Sequence, residues 1–336
     1  MDSTEAGSPQ EYSAGPDATR ANGKIVFAGS PAFAVPSLKA LLEAGCEVIG
    51  VITRPDRPAG RGRKRRPGPV KEFAAEKGLE VMQPETLATV DMQARLRSMR
   101  PDLVVVAAYG LLLPPAVLEI PRAGCVNLHA SVLPRWRGAS PIQAAIRAGD
   151  RVSGVSIMRM ERGLDSGPVY ATREIAIGAR ETAGALELRL AEAGAELLLC
   201  ALPGIFDGSC VPQSQEEAQM TYAGRIDKTD ALINWNDAAI AIDRQIRAYN
   251  PWPVAETLLD GLRLRCWSAE LEPESNPGID AVGRPGEVIG VPAGFVDVKT
   301  GQGVLRLTEV QLPGRQKMSA AEFANGFPVL GKVLGR

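Results

Sequence analysis

The stretch from Cys125 to Pro134 contains the only histidine in a chain of 336 residues, and its residue types could do chemistry. Apolar and polar side chains alternate along its first half as in a β-strand, so Asn127 and His129 should point to the same face. An amide and an imidazole two residues apart can converge on one small group. Because histidine is the side chain best suited to proton transfer near neutral pH, this pair predicts acid–base chemistry at the end of the strand.

A plainer interpretation is that a lone histidine after apolar residues is only a buried strand-end residue. Three features favour a function instead: Asn127 shares its face, the following loop is rich in Gly, Pro and Arg, and Asp165 lies between Gly163 and Gly167 further along the chain. Asp165 could alternatively cap a turn between those glycines. Cys125 should share the face of His129, but we expect its thiol to pack in the core.

The elements that position these side chains begin with a strand at 24–29, a helix at 31–44 and a second strand at 48–53. This order predicts a parallel sheet with right-handed crossovers. The first turn lacks the G-x-G-x-x-G pattern, which disfavours a nicotinamide dehydrogenase. A strongly apolar run at 102–108 predicts a central strand, and a long amphipathic helix is expected at 183–199.

Several short alternating runs between Ala255 and Val310 predict a small β-barrel after this helix. The fold class is therefore α/β, with a Rossmann-like, mostly parallel sheet domain followed by a small β-barrel. The patterns divide the chain into four parts: a disordered N-terminal extension (1–23), a catalytic domain (24–202), a linker (203–224) and the C-terminal barrel domain (225–336).

The composition is that of an ordinary globular protein, with 45% hydrophobic and 23% charged residues and a net charge of −1. Five cysteines without a C-x-x-C pair, and a single histidine, offer no zinc constellation, so we expect no metal. Because the five cysteines are odd in number and show no paired spacing, we expect reducing cytosol and no structural disulfides. No apolar run approaches the roughly 20 residues needed to span a bilayer.

A strongly basic segment runs from Arg54 to Arg66, with seven positive residues against one negative. Its two prolines and two glycines argue against a helix or a strand, so we expect a long loop. A run of charged residues is usually a surface loop in contact with solvent and has no binding partner. Because like charges repel one another unless an anion offsets them, a phosphate backbone is the partner that this segment favours.

Six motifs resemble the methionyl-tRNA formyltransferases of the folate-dependent formyltransferase family, and the resemblance runs from Lys24 to the C-terminus. Two of them, around Asn127 and Asp165, are shared across the folate-dependent formyltransferases, whereas the basic segment is particular to the tRNA enzymes. The motifs are V-F-A-G-S-P-A-F-A-V-P-S-L, R-P-D-R-P-A-G-R-G-R-K, A-Y-G-L-L-L-P, N-L-H-A-S-V-L-P-R-W-R-G-A-S-P-I-Q, G-L-D-S-G and A-Y-N-P-W-P.

The resemblance implies formyl transfer from 10-formyltetrahydrofolate to initiator methionyl-tRNA, without a metal. It implies that Asn127, His129 and Asp165 carry the chemistry. It also implies a C-terminal barrel of oligonucleotide-binding type that helps hold the tRNA. We expect a cytoplasmic monomer that binds no membrane. Two groups of binding residues follow from the same motifs: Ser131, Val132, Leu133 and Pro134 for folate, and Arg54, Arg57, Arg61, Arg63 and Lys64 for tRNA, with Arg61 the best single candidate.

Two departures from the family pattern are visible. Val132 replaces the usual leucine, a small apolar change. From Asp227 to Arg336 there are 12 Lys or Arg against 14 Asp or Glu, so a basic face in the C-terminal domain would have to come from segregated cations. The candidates for such a face are Arg263, Arg265, Arg306, Arg315 and Lys317.

Three other functions remain open. A sugar-nucleotide N-formyltransferase would use the same three catalytic residues, but a nucleotide sugar does not need so much positive charge. A hydrolase that releases formate from the same folate would also share them. A non-catalytic RNA-binding module would explain the basic segment but leave the Asn, His and Asp without a role. It would also need stacking aromatic residues, which make up only 5% of the chain.

Overall fold

A computed structural model describes residues 23–59, 64–272, 283–292 and 295–335. These residues form two compact units that interleave along the chain. The first comprises the residues up to His129 together with Val155–Arg173 and Ala191–Gln215, and the second comprises Ala130–Gly154, Glu174–Leu190 and the residues from Glu216 onward. The four-part division of the chain stays a prediction, and its N-terminal extension, residues 1–23, lies outside the described residues except for Gly23.

Helices and strands alternate in the first half of the chain, and strands dominate the second. The helices are α1 (Val35–Glu43), α2 (Pro69–Glu76), α3 (Val90–Met99), α4 (Pro115–Leu118), α5 (Pro141–Ala148), α6 (Ala183–Asp207), α7 (Ala239–Ala248) and α8 (Ala320–Gly326). The strands are β1 (Lys24–Gly29), β2 (Glu47–Ile52), β3 (Arg57–Ala59), β4 (Lys64–Arg66), β5 (Val81–Met82), β6 (Leu103–Ala107), β7 (Cys125–His129), β8 (Arg137–Gly138), β9 (Val152–Arg159), β10 (Val169–Ala176), β11 (Tyr222–Ala223), β12 (Glu256–Leu259), β13 (Leu262–Leu271), β14 (Val288–Gly290), β15 (Val296–Lys299), β16 (Val304–Gln311) and β17 (Met318–Ser319).

A seven-stranded sheet in the order β10-β9-β7-β6-β1-β2-β5 organises the first half of the chain. The neighbours from β7 to β5 are parallel, as the βαβ pattern predicts, whereas β9 runs antiparallel to β7. The central strands β1 and β6 are apolar and almost wholly buried, which is expected for strands covered on both faces. The mostly parallel α/β sheet is therefore confirmed.

Strand β7 lies where the sheet changes from parallel to antiparallel pairing. Asn127 is opposite Val106 on β6 and Met158 on β9, and His129 is opposite Ser156. His129 is the last residue of the strand. Ligand sites of α/β sheets lie beyond the carboxyl ends of strands, so this sheet holds His129 at such an end.

The second unit contains an antiparallel sheet in the order β12-β13-β16-β15-β14, with β17 paired to β16. This sheet curls into a half-barrel, which confirms the predicted small β-domain. Its apolar face packs against helices α7 and α8 around a core that includes Ile242, Leu264, Val298, Leu305 and Phe323. Within the described residues, no helix combines the length and the apolar character that crossing a membrane requires.

Two local predictions are wrong. The basic segment is not a loop along its whole length, because β3 and β4 pair as an antiparallel ribbon with Arg57 opposite Arg66. Pro58 is tolerated there since both strands of a two-stranded ribbon are edge strands. The long helix predicted at 183–199 also ends later than expected: α6 continues through Pro203 to Asp207, because Leu202 and Ile205 extend its buried apolar face.

Candidate active site

The side chains of β7 divide between the core and the end of the sheet. Cys125, at the start of the strand, is buried with Val104 and Val117. Burial raises the pKa of the Cys125 thiol to about 12, so the thiol stays protonated at neutral pH and cannot act as a nucleophile. The expectation that Cys125 is a core residue is confirmed. At the other end of the strand, Asn127 is half-buried and His129 is buried.

Asp165 comes from the loop between β9 and β10, and its backbone has φ +48°. This left-handed conformation is one that aspartate tolerates better than most side chains do. Gly167 is required by close packing, because a Cβ atom there would stand 1.9 Å from the carbonyl oxygen of Arg159. The glycine-flanked pattern in the sequence thus reflects a tight turn that aims Asp165 toward the end of β7.

The three predicted catalytic residues lie together. Asn127 Nδ2 is 3.5 Å from Asp165 Oδ1, and His129 Nδ1 is 3.7 Å from Asp165 Oδ2. The side chains of His129 and Asp165 are only 6% and 16% exposed. These distances are long for hydrogen bonds, as is common in catalytic sites without substrate. The carboxylate faces Nδ1 of the imidazole, so Nε2 is the ring nitrogen on the side away from Asp165.

A residue that sequence reasoning missed holds the main chain of this loop. Gln215 Nε2 donates to the carbonyl oxygens of Asp165, at 2.8 Å, and Gly167, at 2.7 Å. Gln215 falls in the predicted linker, and its partners are 50 and 48 residues away along the chain. No local sequence signal could have identified this contact, because a single glutamine in an irregular segment has no periodicity to interpret.

The four predicted folate residues follow His129 in the chain and belong to the second compact unit. Ser131 is buried, and its hydroxyl donates to the carbonyl oxygen of Arg135 at 2.6 Å. The amide of Arg135 donates to the carbonyl oxygen of Val132 at 3.1 Å, which closes a tight turn around Leu133 and Pro134. The structure shows how this turn is built, and its folate role stays a prediction.

The predicted tRNA residues are spread along the basic hairpin, defined here as Arg54–Arg66. Arg57 lies on β3 and Lys64 on β4, and the two strands pair with each other. Arg61 and Arg63 lie outside the described residues. Their role in tRNA binding therefore stays a prediction.

The base of the basic hairpin is anchored in the first unit. The amide of Arg54 donates to Ser30 Oγ at 3.1 Å, and its carbonyl oxygen accepts from Gln83 Nε2 at 2.9 Å. Asp56 accepts from Gln83 at 2.7 Å and from Lys71 at 2.6 Å. The single acidic residue of the segment therefore ties the start of the hairpin to Gln83 and to Lys71 on α2.

Most of the cations proposed for a basic C-terminal face are paired with acidic side chains. Arg306 contacts both Asp297 and Glu272, and the Arg306 Nε–Asp297 Oδ1 distance is 2.7 Å. Two further pairs are Arg263 with Glu256 at 3.3 Å and Lys317 with Glu309 at 3.7 Å. Among the described residues, this leaves Arg265 and Arg315 as the two of the five without an ion pair. Three of the five candidate cations are therefore partly neutralised by carboxylates of the same domain.

No group of three or more His, Cys, Asp and Glu side chains that could hold a metal ion occurs in the part of the chain that the structure describes. The site assembled above consists of an amide, an imidazole and a carboxylate at the end of one strand, which suits proton transfer and hydrogen bonding.

Two family models cover most of the chain. Residues 23–202 match the formyl transferase model, and residues 225–328 match the model of the formyl transferase C-terminal domain. A solved structure described as methionyl-tRNA formyltransferase from Clostridium thermocellum superposes with a TM-score of 0.52 and 17% identity. The match covers 74% of this chain and 93% of that one, and at this identity it supports the fold alone.

Close relatives match along nearly their whole length. The methionyl-tRNA formyltransferase of Methylococcus capsulatus is 50% identical over 312 residues, which cover 93% of this chain and 99% of the relative. The methionyl-tRNA formyltransferase of Pseudomonas putida strain F1 is 46% identical over 316 residues, which cover 93% and 100%. Together with the two family models, these matches show that the chain belongs to the formyl transferase family.

Proposed function

We propose that this protein transfers the formyl group of 10-formyltetrahydrofolate to the α-amino group of initiator methionyl-tRNA. The product, N-formylmethionyl-tRNA, serves translation initiation, and we propose that the protein works in the cytoplasm as a monomer. The observation that carries the proposal is the 50% identity with a methionyl-tRNA formyltransferase along almost the full length of both chains. The arrangement of Asn127, His129 and Asp165 supplies the chemistry that this reaction needs.

The first requirement is to stabilise negative charge on the formyl oxygen when the amine attacks the formyl carbon. Asn127 carries two amide hydrogens, and His129 carries a ring N–H. In our proposal Asn127 donates to this oxygen as its charge develops, and His129 donates to it through Nε2 once that nitrogen has taken the proton of the amine. One such donor typically contributes about 3–4 kcal/mol to the transition state. The burial of His129 strengthens the effect, because nearby water would screen the charge.

The second requirement is to move a proton. The attacking amine must lose one, and the N10 atom of the departing tetrahydrofolate must gain one. His129, through Nε2 or through a water that it orders, takes the proton from the amine and delivers it to N10. No side-chain nucleophile takes part, because the formyl group passes directly from one nitrogen to the other.

Asp165 supports both steps through its two oxygens. Oδ2 faces His129 Nδ1 and holds the imidazole in one tautomer, while Oδ1 faces Asn127 Nδ2 and orients the amide. A carboxylate so placed also stabilises the imidazolium that forms during the transfer. We propose that Asp165 acts by positioning and charge, without itself accepting the proton.

The substrates would be held by separate parts of the chain. We propose that Ser131, Val132, Leu133 and Pro134 line the folate site, which rests on their match to the family motif. We propose that the basic hairpin, led by Arg61, binds the phosphates of the tRNA acceptor end. Its positive charge suits a polyanion, since each phosphate contact releases counterions from the nucleic acid. The other tRNA residues in this proposal are Arg54, Arg57, Arg63 and Lys64.

The alternatives differ in the acceptor, so the test is a comparison of acceptors. The protein is incubated with 10-formyltetrahydrofolate and, in separate reactions, with methionyl-tRNA, an amino-sugar nucleotide or neither. Formylmethionine, formylated sugar and formate are then measured by mass. We expect formylation of the tRNA-bound methionine to dominate. A faster reaction with the amino-sugar nucleotide, or release of formate at the same rate without an acceptor, would overturn the proposal.

The role of the basic hairpin has its own test. Arg61→Ala should raise KM for methionyl-tRNA and leave the Kd for tetrahydrofolate unchanged. It should also lower the slope of log KM against log salt by roughly 0.7–0.9, the value of one phosphate contact. The matched control is Arg97→Ala, which removes an exposed arginine from the last turn of α3. Equal losses in folate and tRNA use would show that the hairpin has a structural role instead.

A further inference from the structure

Gln215 spans the loop that carries Asp165 with both hydrogens of its side-chain amide. Nε2 donates to the carbonyl oxygen of Asp165 at 2.8 Å and to that of Gly167 at 2.7 Å. These two carbonyl groups lie on either side of Ser166, so one amide fixes the orientation of two peptide groups. Both distances are those of well-formed hydrogen bonds.

The path of the main chain through these peptide groups sets the position from which the Asp165 side chain extends. Asp165 has φ +48°, in a region that a non-glycine residue occupies only when its surroundings hold it there. Its two oxygens must face Asn127 and His129 at the same time. Loss of the hydrogen bonds from Gln215 would free the main chain on the C-terminal side of Asp165 to move, and a shift of the Asp165 backbone would lengthen its contact with at least one of them.

The main chain beyond this loop is held independently of the Gln215 side chain. Gln213 and Val169 exchange two backbone hydrogen bonds, each of 2.8 Å. The amide of Arg159 donates to the carbonyl oxygen of Pro168, also at 2.8 Å. The end of the loop is therefore fixed to its neighbours by backbone pairing, whereas the Gln215 amide acts on the segment that contains Asp165 itself.

We infer that Gln215 is a positioning residue for formyl transfer, which sets the Asp165 carboxylate against both Asn127 and His129. The inference rests on the proposed function. It requires two N–H donors at this point, because both partners are carbonyl oxygens. Methionine would keep the length and shape of the side chain but donate nothing. Glutamate would place acceptor oxygens against acceptor oxygens and push the loop away.

The test compares Gln215→Met and Gln215→Glu with Gln213→Met. The control makes the same substitution two residues away, on an exposed side chain whose backbone bonds to Val169 persist. We expect kcat of Gln215→Met to fall roughly 10- to 100-fold, since a misplacement of about 1 Å in a catalytic group can cost that much. The kcat of Gln215→Glu should fall further than that of Gln215→Met. KM for both substrates and the Kd for tetrahydrofolate should stay within about two-fold of the wild type, because substrate binding is untouched.

Thermal unfolding of all three variants shows whether they are folded, and tetrahydrofolate binding by calorimetry shows whether the site is intact. The inference is overturned if Gln215→Met keeps the wild-type kcat, or if the loss appears in KM rather than kcat. The inference is also overturned if kcat falls as much in Gln213→Met as in Gln215→Met. Failure of the wild type to formylate methionyl-tRNA would instead refute the proposal that methionyl-tRNA is the acceptor. The same variants would then be compared on whichever reaction the wild type catalyses with 10-formyltetrahydrofolate.

Discussion

Replacing Gly167 by alanine should disable the site without removing any catalytic side chain. The Cβ atom of alanine would stand 1.9 Å from the carbonyl oxygen of Arg159, whereas real Cβ contacts are essentially never shorter than 3.0 Å. The loop and the end of β9 must therefore separate by about 1 Å, and a displacement of that size can lower kcat roughly 100-fold. That loss corresponds to about 2.7 kcal/mol of transition-state stabilisation.

Gly163 provides the matched control on the other side of Asp165. Alanine there would place Cβ 2.0 Å from Ser166 Oγ, but a serine hydroxyl can rotate to another rotamer, whereas a strand carbonyl cannot. Gly163→Ala should therefore keep kcat within about three-fold of the wild type. Gly163 is also exposed, whereas Gly167 is buried, so only Gly167→Ala should lose stability, by about 1–3 kcal/mol.

Single-turnover formylation with saturating folate measures the effect on chemistry, and urea unfolding measures the effect on stability. Tetrahydrofolate binding confirms that each variant is folded under the assay conditions. A Gly167→Ala protein with the wild-type rate would refute the reasoning, because it would show that the observed path of the loop is not required. Equal losses in the two glycine variants would refute it as well.

Two further predictions concern groups away from the site. Because the pKa of Cys125 is raised, its thiolate forms only as pH rises toward about 12. Iodoacetamide at pH 8 should therefore leave Cys125 unmodified in the folded protein and modify it after denaturation, as measured by mass. Asp297→Ala should lower the free energy of unfolding in urea by about 2–3 kcal/mol, because it leaves the charged hydrogen bonds of the largely buried Arg306 unmade. The control Glu309→Ala breaks an exposed ion pair and should cost about 0–1 kcal/mol.

Strand β7 was predictable because the sequence pattern that indicates it is local. A period of two places Asn127 and His129 on one face, and the apolar run before them predicts that the strand is buried. The same alternation also placed Cys125 on that face. Its position at the start of the strand was the one indication that Cys125 lies in the core. Asp165 was identified by its flanking glycines. The structure shows a steric reason for glycine at position 167, since a Cβ atom there would collide with the carbonyl oxygen of Arg159.

The features that the sequence patterns missed depend on contacts between distant residues. Pro203 is a helix-breaking signal, yet α6 continues past it because the buried faces of Leu202 and Ile205 favour the helix. The ribbon formed by β3 and β4 has no apolar alternation to reveal it, since most of its residues are basic. Gln215 reaches across 50 residues to Asp165, and no pattern around it indicates this partner.

The C-terminal domain shows the limit of counting charges. Its net negative charge already argued against a broad basic surface. The sequence left open that five candidate cations form a basic patch apart from the acidic residues. In the structure Arg263, Arg306 and Lys317 each pair with a carboxylate on the same domain. This pairing lowers the positive charge that the three side chains could offer to tRNA, and we expect the basic hairpin to supply most of the salt dependence.

The central claim is that His129 moves the proton during formyl transfer to methionyl-tRNA. The most direct measurement follows formylmethionine by mass for the wild type and for His129→Ala, with tetrahydrofolate binding measured on both. We expect rapid formylation by the wild type, and a rate in the variant lowered roughly 10²- to 10⁴-fold with folate binding intact. Wild-type rates in the His129→Ala protein would contradict it, because the end of β7 could then not be the site of the chemistry.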